Sequence, residues 1–112
     1  MSIEVTMRHM QSMEDIHRYA ESKAQALADT ISHCEHVHVI LDHAKHLYVA
    51  EVVLQAGHHG RVEARESCGD LRAAIDMAVE KAERQIRRVL EKKQDRHQAM
   101  KKHEAMRNEG TA

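Results

Sequence analysis

The sequence predicts an α+β domain with the order β-α-β-β-β-α: a four-stranded mixed sheet carrying two helices on one face. Three observations predict it. Four segments alternate apolar and polar residues with the two-residue period of half-buried strands. Two longer segments repeat apolar residues every three or four positions, the period of an amphipathic helix. The chain has 112 residues, 42% hydrophobic and 31% charged. That suits one folded domain around one core.

The first strand spans residues 2–8, where Ile3, Val5 and Met7 alternate with polar neighbours. Ser12 offers an N-cap, and Glu14 and Asp15 follow where the helix dipole favours acids. A helix from about Met13 to Ile31 comes next, its stripe built from Ile16, Tyr19, Ala20, Ala24, Leu27 and Ile31. Met10 and Met13 are expected to pack around its start. From Glu35 to Ala44 the alternation returns, with Val37, Val39 and Leu41 on one face and His36, His38 and Asp42 on the other. Leu47 to Gln55 reads as a third strand with Ala50, Val52 and Leu54 inward; Val49 and Val53 keep its other face from being cleanly polar.

Gly57-His58-His59-Gly60 is the clearest turn signal. A fourth strand from about Gly60 to Ser67 turns Val62 and Ala64 inward. Gly69-Asp70 ends it and caps the second helix, whose stripe is Leu71, Ala74, Ile75, Ala78, Val79, Ala82 and Ile86. No Gly or Pro interrupts this helix before Gly110, but its stripe fades after Leu90. The expected division is a domain over residues 1–96 and a polar tail, frayed or disordered, over 97–112. Joining the first two strands through a helix implies a parallel pair, and the two hairpins imply antiparallel neighbours.

The formal charge of −1 hides an asymmetry. Residues 1–69 sum to −4 and residues 70–107 to +4; from Arg84 to Lys102 eight bases face only Glu91 and Asp95. A segregated basic surface is what a phosphate backbone responds to. Lys81, Arg84, Arg88 and Lys92 are spaced three, four and four apart and so line one side of the second helix, flanked by Arg87 and Lys93. Phosphate contact through this ladder would be salt-dependent and indifferent to base identity. The same pattern suits a solvated helix face with Glu80–Arg84 and Glu83–Arg87 pairs, and charge alone leaves both readings open. With Tyr19 and Tyr48 the only aromatics, stacking of several unpaired bases is not expected.

Eleven histidines form a second feature. His33, Cys34, His36 and His38 crowd one strand start, and His36 and His38 point the same way. No HExxH motif or paired CxxC accompanies them. No cofactor and no metal are therefore expected, and a histidine-rich metal-binding module stands as the alternative reading. An enzyme is not expected. No phosphate loop or GxSxG motif occurs, and His33 and Cys34, adjacent in an extended chain, point to opposite faces. Cys68 reads as a packed small residue. Two cysteines do not suggest a disulfide framework, and neither a secretory signal nor an apolar run of spanning length is visible. A cytoplasmic location is the expectation.

The run Gly69-Asp70-Leu71-Arg72-Ala73-Ala74-Ile75-Asp76, continuing through Lys81-Ala82-Glu83-Arg84-Gln85-Ile86, resembles the ribosome hibernation-promoting factor and ribosome-associated inhibitor family. This is also called the sigma-54 modulation or S30AE family. The likeness covers about residues 1–96. It implies a fold like that of double-stranded RNA-binding domains and a stationary-phase or stress protein. Such a protein binds the small (30S) ribosomal subunit and the 70S ribosome near the decoding centre. It contacts 16S rRNA phosphates and blocks mRNA and tRNA sterically, inhibiting translation reversibly. The implied partners include no DNA and no membrane, and the free protein would be monomeric. The resemblance places Lys81, Arg84, Arg88 and Lys92 on basic positions of the family's second helix and Lys23 on a basic position of its first. With Arg87 and Lys93, these are the expected rRNA-binding residues. Ala26 stands where a second lysine is common and Arg72 where tyrosine is usual; Arg72 or Arg18 would restore the missing charge. The family's long members carry a C-terminal dimerisation domain that finds no match here, so the chain resembles a short form.

Overall fold

In a computed structural model, residues 1–57 and 60–102 are described, with 92–102 as helical backbone. The elements are β1 (Ser2–Arg8), α1 (Glu14–Asp29), β2 (His36–Ala44), β3 (Leu47–Gln55), β4 (Arg61–Cys68) and α2 (Leu71–Lys102). The sheet order is β1-β2-β3-β4. β1 and β2, joined through α1, pair in parallel; the pairs β2–β3 and β3–β4 are antiparallel. The predicted fold class is the observed one.

Strand register turns the alternation into two faces. On one face Ile3, Val37, Leu54 and Val62 form a row across all four strands, and Val5, Val39, Val52 and Ala64 form the next. α1 covers the β1–β2 half and α2 the β3–β4 half. Ala20, Ala24, Ala74, Ala78 and Ala82 are fully buried. Small side chains at these positions let both helices approach closely, while Leu41, Leu54, Ile75 and Ile86 fill the core between the layers. The other face carries the rows Glu4–His38–Val53–Glu63 and Thr6–Ile40–Glu51–Arg65, and among the described residues no helix covers it.

Several boundaries differ from the sequence expectation. The N-cap of α1 is Met13, with no side-chain hydrogen bond, rather than Ser12. α1 stops at Asp29, and Thr30 closes it by donating its hydroxyl to Leu27 O at 2.8 Å. Ile31 lies beyond the helix yet stays buried, because the chain turns it back onto the core. At α2 the expected cap is present: Asp70 Oδ2 accepts from the Ala73 amide at 3.1 Å. α2 runs to Lys102, past Leu90 where its apolar stripe fades, as a segment with neither Gly nor Pro permits.

The β2–β3 hairpin closes through two residues, Lys45 and His46, with Lys45 at φ 59°. A positive φ in so short a loop matches the twist of the flanking strands. The turn expected at His58-His59 lies outside the described residues. Beside it, Gly57 and Gly60 both have positive φ, and the Ala56 amide donates to Gly60 O at 3.0 Å.

Candidate functional site

The basic ladder of α2 divides into paired and unpaired cations. Lys81 leans over β4, with Nζ 3.5 Å from a Glu66 carboxylate oxygen and 3.3 Å from the Arg65 carbonyl. Arg87 is bound to Glu83, one turn back, at 2.7 Å. Arg84 and Arg88 are exposed, and neither has an ion-pair partner among the described residues. Spaced four apart, they continue the line begun by Lys81 along the β4 flank of the helix. Arg87 is rotated from Arg88 by about 100° around the helix axis. The side chains of Lys92 and Lys93 lie outside the described residues; their backbone prolongs α2 beyond Ile86, the last fully buried residue of the helix among those described.

Of the two acid–base pairs open at the sequence level, Glu83–Arg87 forms and Glu80–Arg84 does not, among the described residues. The row of guanidinium groups that results is free to meet an anion. Exposed pairs such as Arg87–Glu83 contribute only about 0–1 kcal/mol, so Arg87 can exchange its carboxylate for a phosphate at little cost.

Lys23 is held elsewhere. Its Nζ lies 3.5 Å from Asp76 Oδ1 and 5.5 Å from the centre of the Tyr19 ring. It therefore sits at the seam between α1 and α2, whereas Lys81 marks the opposite flank of α2. Tyr19 donates its hydroxyl to Asp76 at 2.6 Å. That hydrogen bond is the main reason the phenol pKa lies above its ordinary 10.0, with burial adding to it. Arg72 packs over the same ring at 4.7 Å and pairs with Asp15 at 3.3 Å. Arg72 is thus engaged in joining the helices, and Arg18 pairs with Glu14 at 3.4 Å.

On the open face, hydrogen bonds link β1 to β2. Ser2 Oγ and His36 Nδ1 are 2.6 Å apart, Thr6 Oγ1 and His38 Nε2 2.8 Å, and the His9 imidazole meets Asp42 at 2.8 Å. The hydrogen bond from His9 is the largest influence holding the Asp42 carboxyl below its ordinary pKa. The two carboxylate oxygens of Glu4 face His36 Nε2 at 3.8 Å and His38 Nε2 at 3.9 Å. Sequence reasoning found the two histidines and missed Glu4. Its signal was present: a parallel β1–β2 pair in the observed register sets Glu4 directly beside His38. Cys34 and Cys68 are both free and half-buried, and burial pushes the Cys34 thiol up, away from a nucleophilic thiolate.

Comparison with known proteins bears on what this arrangement is for. The family model described as Sigma 54 modulation protein / S30EA ribosomal protein matches residues 3–94. Among solved structures, the chain is similar to the N-terminal domain of Protein Y from Thermus thermophilus. Identity is 32% and the TM-score 0.69, over 79% of this chain and 98% of that one. A ribosomal subunit interface protein from Coxiella burnetii shares the fold at 16% identity, with a TM-score of 0.68 over 79% of this chain and 96% of that one. No curated protein sequence matches the chain.

Proposed function

Because the chain belongs to the sigma 54 modulation protein / S30EA ribosomal protein family, we propose that it is a ribosome hibernation factor of the cytoplasm. In this reading it binds the small ribosomal subunit, free or within the 70S ribosome, and lies near the decoding centre against 16S rRNA. It occupies space that mRNA and tRNA need, and it inhibits translation reversibly under stress or in stationary phase. The action is steric: no bond is made or broken. The free protein is a monomer, and its partners include neither DNA nor a membrane.

The observation that carries this reading is the exposed row of Arg84 and Arg88, unpaired among the described residues and aligned with Lys81. Two guanidinium groups one turn apart on a rigid helix present forked donors to successive phosphate oxygens. Lys92 extends that row by sequence spacing, Lys93 flanks it, and Arg87 joins it on releasing Glu83. Lys23 contributes from the helix seam by exchanging Asp76 for phosphate. The contacts read backbone and shape, as A-form RNA requires of a protein with few aromatic side chains.

Competition tests the steric mechanism. Small subunits pre-loaded with mRNA and initiator tRNA are expected to bind the protein at least ~10-fold more weakly than empty subunits, and excess protein is expected to suppress initiation complexes. Equal binding to loaded and empty subunits would overturn the placement at the decoding centre.

A further inference from the structure

The uncovered face of the sheet holds a group that lies outside the proposed rRNA contacts. Glu4, His36 and His38 bring one carboxylate oxygen and two imidazole nitrogens within 4.8 Å of one another. The arrangement follows from strand geometry. His36 and His38 are two apart on β2 and so project from the same face. β1 runs parallel beside them, with Glu4 opposite His38. The geometry points to a binding site for a divalent transition-metal ion of the zinc class, with Glu4, His36 and His38 as its three protein ligands.

Three features support the assignment. First, the donor set is the one that borderline metals take: two neutral imidazoles and a carboxylate, leaving an open position for water. Tetrahedral coordination with bonds of about 2.0–2.1 Å places ligand atoms roughly 3.3 Å apart. Glu4 lies 3.8 and 3.9 Å from the two Nε2 atoms and the three ligand atoms are within 4.8 Å of one another, so side-chain rotation must close each gap by at most about 1.5 Å.

Second, His36 is already oriented. Its Nδ1 is hydrogen-bonded to Ser2 Oγ at 2.6 Å, which turns Nε2 toward Glu4 at 3.8 Å. An outer-shell hydrogen bond of this kind fixes the tautomer of a metal-bound histidine. His38 Nε2 is engaged with the Thr6 hydroxyl at 2.8 Å, and that hydroxyl gives way to the metal by rotating about one bond. Third, Glu4 has no lysine or arginine partner among the described residues; its ion-pair contacts are the two imidazoles. A cation arriving there displaces no other cation. Because the site lies on the sheet face opposite α2, metal binding is independent of the ribosome reading.

Calorimetry with Zn²⁺ at neutral pH on the full chain tests the proposal. One equivalent is expected to bind with a dissociation constant in the micromolar range or tighter. Glu4→Gln, His36→Ala and His38→Ala are each expected to weaken binding by at least ~10-fold, and Ser2→Ala by about 10-fold through the outer-shell contact. His43→Ala/His46→Ala, at the β2–β3 turn, is expected to bind as the unmodified chain does. Sub-stoichiometric Co²⁺ on the unmodified protein gives a readout that needs no variant, and the His36 and His38 imidazole resonances are expected to shift before those of any other histidine. Binding unchanged in Glu4→Gln and His36→Ala, or Co²⁺ perturbing all histidines alike, would overturn the assignment.

Discussion

Asp42 and His9 illustrate what single side chains contribute on the open face. The imidazole donates to the carboxylate at 2.8 Å, across the gap between the end of β1 and β2. This is the leading reason that Asp42 titrates below its ordinary range. A carboxyl whose folded pKa is depressed contributes stability that is complete above its unfolded pKa. That contribution is lost as pH falls through the folded value. His9→Ala is therefore expected to move the Asp42 titration midpoint upward, toward that of a free aspartate, and to narrow the acid side of the stability profile. A side-chain carboxyl NMR titration checks it; an unmoved midpoint would show that backbone and neighbouring charges hold Asp42 instead. The partners of single residues were the least legible part of the sequence. That Lys23 would meet Asp76, and Arg72 the Tyr19 ring, depends on how two helices lie side by side, which neither periodicity nor composition encodes.

Elements were far more legible, because burial on one side leaves a period in the sequence. β3 spans Leu47–Gln55 as its alternation indicates, and the stripe of α2 from Leu71 to Ile86 is buried throughout. What escaped were both ends of α1 and the far end of α2. Met13 rather than Ser12 is the cap of α1, since capping depends on where the chain leaves β1 and not on the presence of a hydroxyl. The far end of α2 escaped for another reason: past Leu90 no core dictates a pattern, and only the lack of breakers speaks for a helix. This separation of roles has a consequence for stability. Ile75 is fully buried between the layers, so Ile75→Ala is expected to destabilise the domain by about 2–5 kcal/mol, with the loss visible in denaturant unfolding. Arg88→Ala, exposed and without an ion-pair partner among the described residues, is expected to shift the same midpoint by no more than about 0.5 kcal/mol. A comparable loss in both would mean that the ladder is part of the packing.

At the scale of the whole molecule, the sheet and α1 pack against one side of α2 and leave the flank that carries Arg84 and Arg88 exposed. The segregation of charge toward residues 70–107 was legible in composition. Which cations are free was not, because that depends on Glu66 of β4 reaching Lys81 and on Glu80 leaving Arg84 alone. The most direct test of the central claim is co-sedimentation of the chain with purified small ribosomal subunits across a salt series, for the unmodified protein and for Arg84→Glu/Arg88→Glu. The account predicts binding in dilute buffer that weakens with salt, with a logarithmic slope of about 0.7–0.9 per phosphate contact. The reversed variant is expected to keep its fold and lose the association. A correctly folded Arg84→Glu/Arg88→Glu variant that sediments with subunits as the unmodified chain does, or an unmodified chain that ignores subunits even at low salt, would contradict it.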